Sequence, residues 1–186
     1  MIIGIAGPTA SGKSTLCKLL AERHPDIGVI KQDDFYKDVV EFESTGRWKN
    51  WEHHASISWE ELIACLADLK AGKTTLIPSY SRRDHARRPD KVEFSPKETL
   101  ILEGFQILIT PEVRKFLDHK IYLDIPLDVQ RERRFKRQPD LDPEYFDQVI
   151  VPSTEKIRSE SLKFADLVLD GTQPIEKLLL EIEKFL

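Results

Sequence analysis

A run of eight residues near the start of the chain has the composition and spacing of a phosphate-binding loop. From Gly7 to Ser14 it matches every fixed position of the pattern G-x-x-x-x-G-K-[ST]. In such a loop the glycines allow a tight turn that directs backbone N–H groups at phosphate oxygens, and the following helix adds partial positive charge. The amine of Lys13 can follow a transferring phosphoryl group, and the Ser14 hydroxyl is suited to Mg2+. The motif predicts nucleotide binding by Gly7, Thr9, Ala10, Ser11, Gly12, Lys13, Ser14 and Thr15.

The rest of the chain distinguishes between two activities that use this loop. A GTPase switch protein needs Asn-Lys-x-Asp and Asp-x-x-Gly, but the only asparagine, Asn50, precedes Trp51, and no glycine follows an aspartate by three residues. A kinase needs instead a group that orients the acceptor hydroxyl, a pocket for the acceptor and a mobile cationic cover for the phosphates. We therefore expect a kinase that uses ATP and Mg2+, with Lys13 as a catalytic residue.

Acidic side chains follow two of the apolar runs of the chain. Asp33 and Asp34 come directly after the second run, and Glu103 ends the run that begins at Thr99. Ligands of open parallel sheets bind at the carboxyl ends of the strands, so these acids should face the glycine-rich loop. Neighbouring residues at a strand end point in different directions, and we assign Asp33 as the carboxylate that accepts the proton of the acceptor hydroxyl. Glu103 is expected to contact Mg2+ or that hydroxyl.

The segment Trp51-Glu52-His53-His54 contains two adjacent histidines. Neighbouring histidines rarely aim at one ion, so the pair does not predict a metal site. We interpret it as part of the polar wall of a pocket.

Short apolar runs separated by helical patterns indicate an α/β domain. The runs are apolar at consecutive positions, which is typical of parallel strands buried on both faces. They cover residues 2–6, 28–30, 99–102, 121–123 and 167–169.

Helix starts are predicted at three places between and after these runs. The spacing of apolar residues predicts a helix over residues 59–71, with a capping box formed by Ser58 and Glu61 at its start. The pair Thr110-Pro111 is typical of an N-cap followed by proline at the first helical position. Pro174 predicts a start of the same kind for the C-terminal helix.

The composition predicts one globular domain over residues 1–186. The chain is 40% hydrophobic and 32% charged, and at this length it can bury a core of its own. Cys17 and Cys65 lie far apart and outside any Cys/His cluster, which favours a reducing, cytoplasmic environment. The formal net charge of -4 argues against a nucleic acid partner. The lack of a basic leader and of a long apolar run argues against a membrane partner. Whether the chain forms a homo-oligomer stays open.

Four segments, in order, closely resemble the uridine kinase and nicotinamide riboside kinase group of P-loop kinases. They are residues 7–15, Gln32-Asp33-Asp34-Phe35-Tyr36, Trp51-Glu52-His53-His54 and Leu102-Glu103-Gly104. The resemblance implies a three-layer P-loop kinase fold, in which a five-stranded parallel sheet has helices on both faces. It also implies a substrate-binding excursion over about residues 36–96 and a helical lid over about residues 130–152. The implied reaction transfers the γ-phosphoryl group of ATP to the 5′-hydroxyl of a ribonucleoside, with uridine or cytidine as the expected acceptor.

The resemblance also implies roles for single residues of the acceptor site. Asp33 matches the catalytic acid of the family, and Tyr36 matches an aromatic residue beside the acceptor. Glu52 falls where the family usually has an aspartate that binds the ribose hydroxyls. Tyr80 and His85 resemble residues of the base-binding hairpin of uridine kinases.

Three arginines are also at positions that can be compared with the family. Arg82 stands where uridine kinases tend to have an aromatic residue, and Arg134 and Arg137 match catalytic lid arginines that clamp phosphates. The spacing of these two lid arginines places both on one helix face. Residues 143–147 and Pro152 look more like nicotinamide riboside kinases, so the sequence mixes features of both subfamilies.

Two alternatives follow from the same residues. The acceptor is not fixed by the fold, so a nicotinamide riboside kinase, or a kinase for another small alcohol such as pantothenate, stays open. A nucleotide-dependent RNA-binding or regulatory protein would use the basic stretch around Arg82 as a partner surface. The negative net charge and the lack of interleaved aromatic residues count against it.

Overall fold

A five-stranded parallel sheet lies at the centre of the molecule in a computed structural model, which describes residues 1–186. The strands in chain order are β1 Ile2–Ala6, β2 Ile27–Lys31, β3 Ser44–Thr45, β4 Trp48–Lys49, β5 Thr75–Ile77, β6 Tyr80–Ser81, β7 Ala86–Arg87, β8 Val92–Phe94, β9 Thr99–Gly104, β10 His119–Asp124 and β11 Leu167–Asp170. The central sheet has the order β11-β10-β1-β9-β2, and all its neighbouring strands are parallel. The predicted strands are all present, each within a few residues of its expected bounds.

Seven α-helices connect or follow the strands. They are α1 Lys13–Arg23, α2 Trp59–Lys70, α3 Pro111–Arg114, α4 Leu127–Arg137, α5 Pro143–Tyr145, α6 Val151–Ser161 and α7 Ile175–Glu183. Short 3-10 turns cover Gln32–Phe35, Val39–Glu41 and His54–Ser56, and a π-helical turn covers Phe146–Ile150. No helix combines the length and apolar character that a membrane span requires.

Helices cover both faces of the central sheet because consecutive strand residues point to opposite faces. Ile3 and Ile5 of β1 belong to a buried cluster that includes residues of α1 and α7. Ile2 and Ala6 belong to a second cluster, which includes the buried face of α2. Complete burial of a side chain as large as Ile or Leu contributes about 1.5–3 kcal/mol. The predicted α/β architecture with helices on both faces is confirmed.

The register of the sheet brings the ends of three strands to one edge. Ala6 at the end of β1 pairs with Gly104 of β9, and Lys31 at the end of β2 pairs with Glu103. The loop after β1, the turn after β2 and the end of β9 therefore meet, as the position of the acidic residues predicted.

Two connections carry additional structure near this edge. Between β2 and β9 the chain forms three small antiparallel pairs, β3 with β4, β5 with β8 and β6 with β7. After α4 a separate buried cluster forms from Leu141, Tyr145, Phe146, Val149 and Ile150, with Trp48 and Trp51 packed against it. The second connection therefore packs against the first.

The start of α2 differs from the prediction in its hydrogen bonds. The helix begins after Ser58 as expected, but the Ser58 side chain makes no capping bond. The Glu61 carboxylate binds Arg87 of β7 and lies 3.4 Å from Lys91 Nζ. The Ser58 backbone N–H donates instead to the carbonyl of Phe35 over 2.8 Å, so the predicted capping box does not form.

Of the other two predicted helix starts, the one at Thr110-Pro111 is confirmed and the one at Pro174 is displaced by one position. Pro111 does open a helix, but α3 has only four residues, and the Thr110 hydroxyl donates to the carbonyl of Gln106 instead of capping it. Pro174 lies at the N-cap of α7, one position before the first helical residue, Ile175. An extended ψ of 138° at Pro174 keeps that residue outside the helix.

Candidate active site

The glycine-rich loop joins β1 to α1 and requires glycine at two positions. A Cβ atom on Gly7 would lie 2.4 Å from the carbonyl oxygen of Leu123 on β10, so a larger residue would displace that strand. Gly12 has a φ of 102°, in the left-handed region that residues with a side chain rarely adopt. No side chain caps the first amides of α1. These amides are therefore free to bind an anion.

The loop lines a large cavity at the carboxyl edge of the sheet. The cavity has a volume of about 1070 Å³, and residues 9–15 all contribute to its lining, whereas Gly7 does not line it. The Lys13 amine donates a hydrogen bond to the carbonyl of Pro8 over 3.0 Å. Burial lowers the pKa of Lys13, against the opposing effect of Glu103 and Asp33. An anion in the cavity would stabilise the charged form of this amine.

Asp33 lies in the 3-10 turn that follows β2 and lines the cavity. Its carboxylate accepts a hydrogen bond from the guanidinium of Arg82. The neighbouring Asp34 lines only a smaller adjoining cavity, and burial raises its pKa to about 6. Of the two adjacent acids, Asp33 is thus the one that shares a space with Lys13.

Glu103 faces the start of α1 from the end of β9. It is 4% exposed and accepts a hydrogen bond from the Ser14 hydroxyl over 2.9 Å. Burial raises the pKa of Glu103, and the nearby Lys13 amine opposes this shift. Carboxylate and hydroxyl oxygens are ligands that Mg2+ accepts, usually together with phosphate oxygens and water. The pair therefore fits a magnesium ion that arrives with a nucleotide, although no group of three His, Cys, Asp or Glu side chains is arranged to hold a metal.

Aromatic side chains form one wall of the cavity beside Asp33. The buried Tyr36 donates from its hydroxyl to the carbonyl of Trp51 over 3.2 Å. The rings of Trp51 and His85 have centroids 4.9 Å apart, and both residues line the cavity. Tyr80 packs against Tyr36 at 5.4 Å but lines only the smaller cavity. The structure thus brings Tyr36 and His85 into the main cavity and leaves Tyr80 beside it.

Glu52 lines the cavity on the same side as the aromatic wall. Its backbone N–H donates to Asn50 Oδ1 over 2.9 Å, and its carbonyl accepts from Gln106 Nε2 over 2.7 Å, which fixes this part of the chain. Burial raises the pKa of the Glu52 carboxyl to about 7, and Arg134 partly opposes the shift. Near neutral pH this carboxyl can therefore either donate or accept a hydrogen bond.

Helix α4 brings arginines to the opposite side of the cavity. Arg137 donates from Nη2 to the Thr9 hydroxyl over 2.9 Å, so the helix contacts the glycine-rich loop directly. Arg134 faces Glu52, and its buried Nε has no hydrogen-bond partner. Burial lowers the pKa of both guanidinium groups. Partly desolvated cations with free donors are suited to bind phosphate oxygens.

The two histidines after Glu52 do not form part of the site. His53 accepts a hydrogen bond from the backbone N–H of Ala55, and the His54 ring stacks on Trp59 with centroids 4.6 Å apart. Neither residue lines the cavity. The predicted polar pocket wall is therefore wrong for these positions, because the 3-10 turn His54–Ser56 directs them away from it.

Three arginines that line the cavity were not predicted to have a role there, namely Arg82, Arg83 and Arg133. Arg133 donates to the carbonyl of Gly171 over 3.0 Å and lines the cavity, and its four-residue spacing from Arg137 could have indicated that both lie on one helix face. Arg82 binds Asp33, and no spacing in the sequence indicates this contact, since it depends on how the β6–β7 hairpin is oriented.

Comparisons with known proteins identify the family of this chain. Residues 2–141 match the model of the Phosphoribulokinase / Uridine kinase family. Uridine kinase of Shewanella pealeana is 35% identical over 173 residues, which are 89% of this chain and 82% of the relative. Uridine kinase of Yersinia enterocolitica is 36% identical over 89% of this chain and 81% of the relative.

A solved structure shares the fold. A protein described as a possible uridine kinase from Bacillus stearothermophilus superposes with a TM-score of 0.70 at 22% identity, over 91% of this chain and 88% of that one. The family match spans the glycine-rich loop, Asp33, Glu103, Arg134 and Arg137. The chain belongs to the phosphoribulokinase and uridine kinase family of P-loop kinases.

Proposed function

We propose that this chain transfers the γ-phosphoryl group of ATP to the 5′-hydroxyl of a ribonucleoside, with uridine and cytidine as the preferred acceptors. The observation that carries the proposal is a single cavity lined by the glycine-rich loop, Asp33, Glu52 and the arginines of α4. The relatives named uridine kinase, which this chain covers over more than four fifths of their length, support the acceptor class.

The donor half of the cavity would act mainly by electrostatics. Phosphoryl transfer proceeds through a loose transition state, so positioning and charge stabilisation account for most of the catalysis. Amides at the start of α1 and the Lys13 amine would hold the β- and γ-phosphates. Arg134 and Arg137 would neutralise charge on the transferring group from the opposite side, because both line the same space.

The acceptor half would orient the hydroxyl that attacks. Asp33 would accept a hydrogen bond from the 5′-hydroxyl and take its proton as the new bond to phosphorus forms. Glu52 would bind the ribose hydroxyls, and the rings of Tyr36 and His85 would contact the nucleoside. Tyr80 would act through its contact with Tyr36, since it lines only the adjoining cavity.

A magnesium ion fits the same site. Ser14 and Glu103 would hold it with the nucleotide phosphates, and the ion would supply positive charge to the β- and γ-phosphate oxygens. The 2.9 Å hydrogen bond between these two side chains keeps both oxygens at the mouth of the loop.

The two connections near the site, residues 36–96 and 130–152, would have different roles within a single domain. Residues 36–96 carry Glu52 and the aromatic wall, and would bind the acceptor. Residues 130–152 carry the arginines and would act as a lid over the phosphates.

A direct assay tests the proposal. The protein is incubated with Mg-ATP and a panel of acceptors that includes uridine, cytidine, nicotinamide riboside, pantothenate and a sugar phosphate, and the products are separated by charge and mass. We expect a nucleoside 5′-monophosphate and equimolar ADP, formed fastest with uridine or cytidine. A phosphorylated non-nucleoside with no nucleotide product would overturn the proposal, and so would the absence of any product.

A further inference from the structure

The positively charged side chain of Arg82 lies in the acceptor half of the cavity, next to Asp33, the residue proposed to accept the proton. Arg82 follows β6 directly, and its Nη2 donates to Oδ2 of Asp33. It lines both the main cavity and the smaller one beside it. Its side chain remains 59% exposed despite this ion pair, so the guanidinium is open to any molecule that enters.

The acidic groups nearest Arg82 supply little free negative charge to balance a cationic acceptor. The attraction of Asp33 raises the pKa of Arg82, so the guanidinium stays charged, and the charge of Asp33 is in turn compensated by it. Burial raises the pKa of Glu52 to about 7, so this carboxyl is partly neutral at physiological pH. Lys13 and Arg134 add two further cations to the lining.

The remaining charged groups that face Asp33 do not change this balance. Glu103 lies at the end of β9 and is bound by the Ser14 hydroxyl, close to Lys13. Arg137 approaches Asp33 from α4, and Asp34 points into the smaller cavity. Glu103 borders the smaller cavity together with Arg82, but the Lys13 amine opposes its charge. Asp140 lines the main cavity, where its charge acts on Arg134.

We propose that Arg82 is a specificity-determining residue that makes the acceptor site prefer a neutral nucleoside over one with a fixed positive charge. The inference rests on the proposed function and deepens it, because it assigns a charge class to the acceptor. It also distinguishes between the acceptors of the two subfamilies that the sequence resembles, since uridine is neutral and nicotinamide riboside carries a pyridinium cation.

Two effects of opposite sign act on a cation in this site. Cation–π contacts with the rings of Tyr36 and Trp51 would raise its affinity by a factor of about two to five at a partly exposed position. Repulsion by the Arg82 guanidinium would lower its affinity by a factor of about ten at a separation near 6 Å and an effective dielectric constant near 40. In the wild type the paired Asp33 carboxylate offsets part of this repulsion. Removing the Arg82 charge therefore abolishes the repulsion and leaves Asp33 free to attract a cation.

The test compares two acceptors in four proteins. The kcat/KM values for uridine and for nicotinamide riboside are measured with saturating Mg-ATP in the wild type, Arg82→Gln, Arg82→Lys and Arg88→Gln. The ratio of the two values cancels any effect of the substitution on Asp33 that is common to both acceptors. Arg88 is a matched control, because it is exposed on the same part of the chain and does not line the cavity.

We expect Arg82→Gln to raise the ratio for nicotinamide riboside over uridine about tenfold. Arg82→Lys keeps the charge and should leave the ratio within about twofold of the wild type, as should Arg88→Gln. An unchanged ratio in Arg82→Gln, or an equal change in Arg88→Gln, would overturn the inference while the proposed reaction stands.

Equilibrium binding measurements test the inference independently of the proposed reaction. Dissociation constants of uridine and nicotinamide riboside are measured by titration calorimetry without nucleotide in the same four proteins. If the wild type phosphorylates neither acceptor but Arg82→Gln shifts the ratio of dissociation constants about tenfold, the proposed reaction fails and the inference holds. If neither nucleoside binds the wild type, both fail.

Discussion

The indole of Trp48 donates a hydrogen bond from Nε1 to Oδ2 of Asp142 over 3.0 Å, and this bond joins the β3–β4 hairpin to the segment after α4. The Trp48 ring also packs against Tyr145 with centroids 6.1 Å apart, and the Tyr145 hydroxyl accepts from the backbone N–H of Trp51 over 3.3 Å. These contacts tie the proposed acceptor-binding connection to the proposed lid. The two sides of the cavity should therefore not move independently.

Replacing Trp48 with Phe tests this coupling. Phe keeps a ring against Tyr145 but removes the hydrogen bond to Asp142 and part of the packed ring, so we expect the free energy of unfolding in urea to fall by about 1–2 kcal/mol. Because the lid and the acceptor side lose a shared contact, KM for ATP and KM for the nucleoside should rise together, by about two- to fivefold.

The exposed Arg47 supplies a control for the Trp48 variant. Its guanidinium binds Asp142 over 2.9 Å at a position where its side chain is 65% exposed. Arg47→Gln should change the free energy of unfolding by less than about 1 kcal/mol and leave both KM values unchanged. A rise in only one KM in Trp48→Phe would mean that the contact does not couple the two sides.

Lys13→Ala should lower kcat by about a hundredfold or more, because a preorganised cation beside the transferring phosphoryl group is lost. The measurement is the initial rate at saturating ATP and nucleoside. Lys18→Ala is the control, since Lys18 lies on the same helix with a side chain that is 76% exposed. Equal rates for the two variants would remove Lys13 from its proposed role.

Much of the site could be predicted because its residues lie at strand ends. Asp33 and Glu103 are separated by most of the acceptor-binding connection, yet parallel strands bring their carboxyl ends to one edge, and both residues line the cavity that the glycine-rich loop forms. The glycine-rich loop itself is a contiguous pattern. Its position between β1 and α1 therefore followed directly from the sequence.

Contacts that depend on the orientation of a loop or helix could not be predicted. The Arg82 guanidinium reaches Asp33 only because the β6–β7 hairpin is turned toward β2, and the Glu61 carboxylate leaves its capping position for Arg87 of the same hairpin. Propensity and spacing describe neighbours along the chain. They do not describe a cation supplied by a segment that is distant in sequence.

Asp33→Asn should lower kcat by about 100- to 10,000-fold, since the amide cannot accept the proton of the hydroxyl. ATP binding, measured by titration calorimetry, should stay within about threefold of the wild type because the phosphates are held by the glycine-rich loop and α4. Asp34→Asn is the matched control: its side chain lines only the smaller cavity, so kcat should fall by less than about tenfold. A larger effect at Asp34 than at Asp33 would exchange their assignments.

The stability of the protein should depend on pH through Glu52. Burial raises the pKa of this carboxyl to about 7 in the folded state, above the value of 4.5 for an exposed glutamate. The folded protein therefore holds the proton more tightly than the unfolded chain, and the contribution of Glu52 is most favourable below pH 4.5. This contribution is lost as the pH rises from about 4.5 to about 7.

Glu52→Gln removes this titration and keeps the shape of the side chain. The free energy of unfolding of Glu52→Gln relative to the wild type should therefore increase by roughly 1–3 kcal/mol between pH 5 and pH 8, measured by urea denaturation. Glu60→Gln, at an exposed position on α2, should show no such increase. At pH 8 the same Glu52 variant should raise KM for the nucleoside more than it lowers kcat, since the ribose hydroxyls lose a charged partner. If the stability difference does not change with pH, the Glu52 carboxyl is already ionised in the folded protein, and its charge would then offset the repulsion that Arg82 exerts on a cationic acceptor.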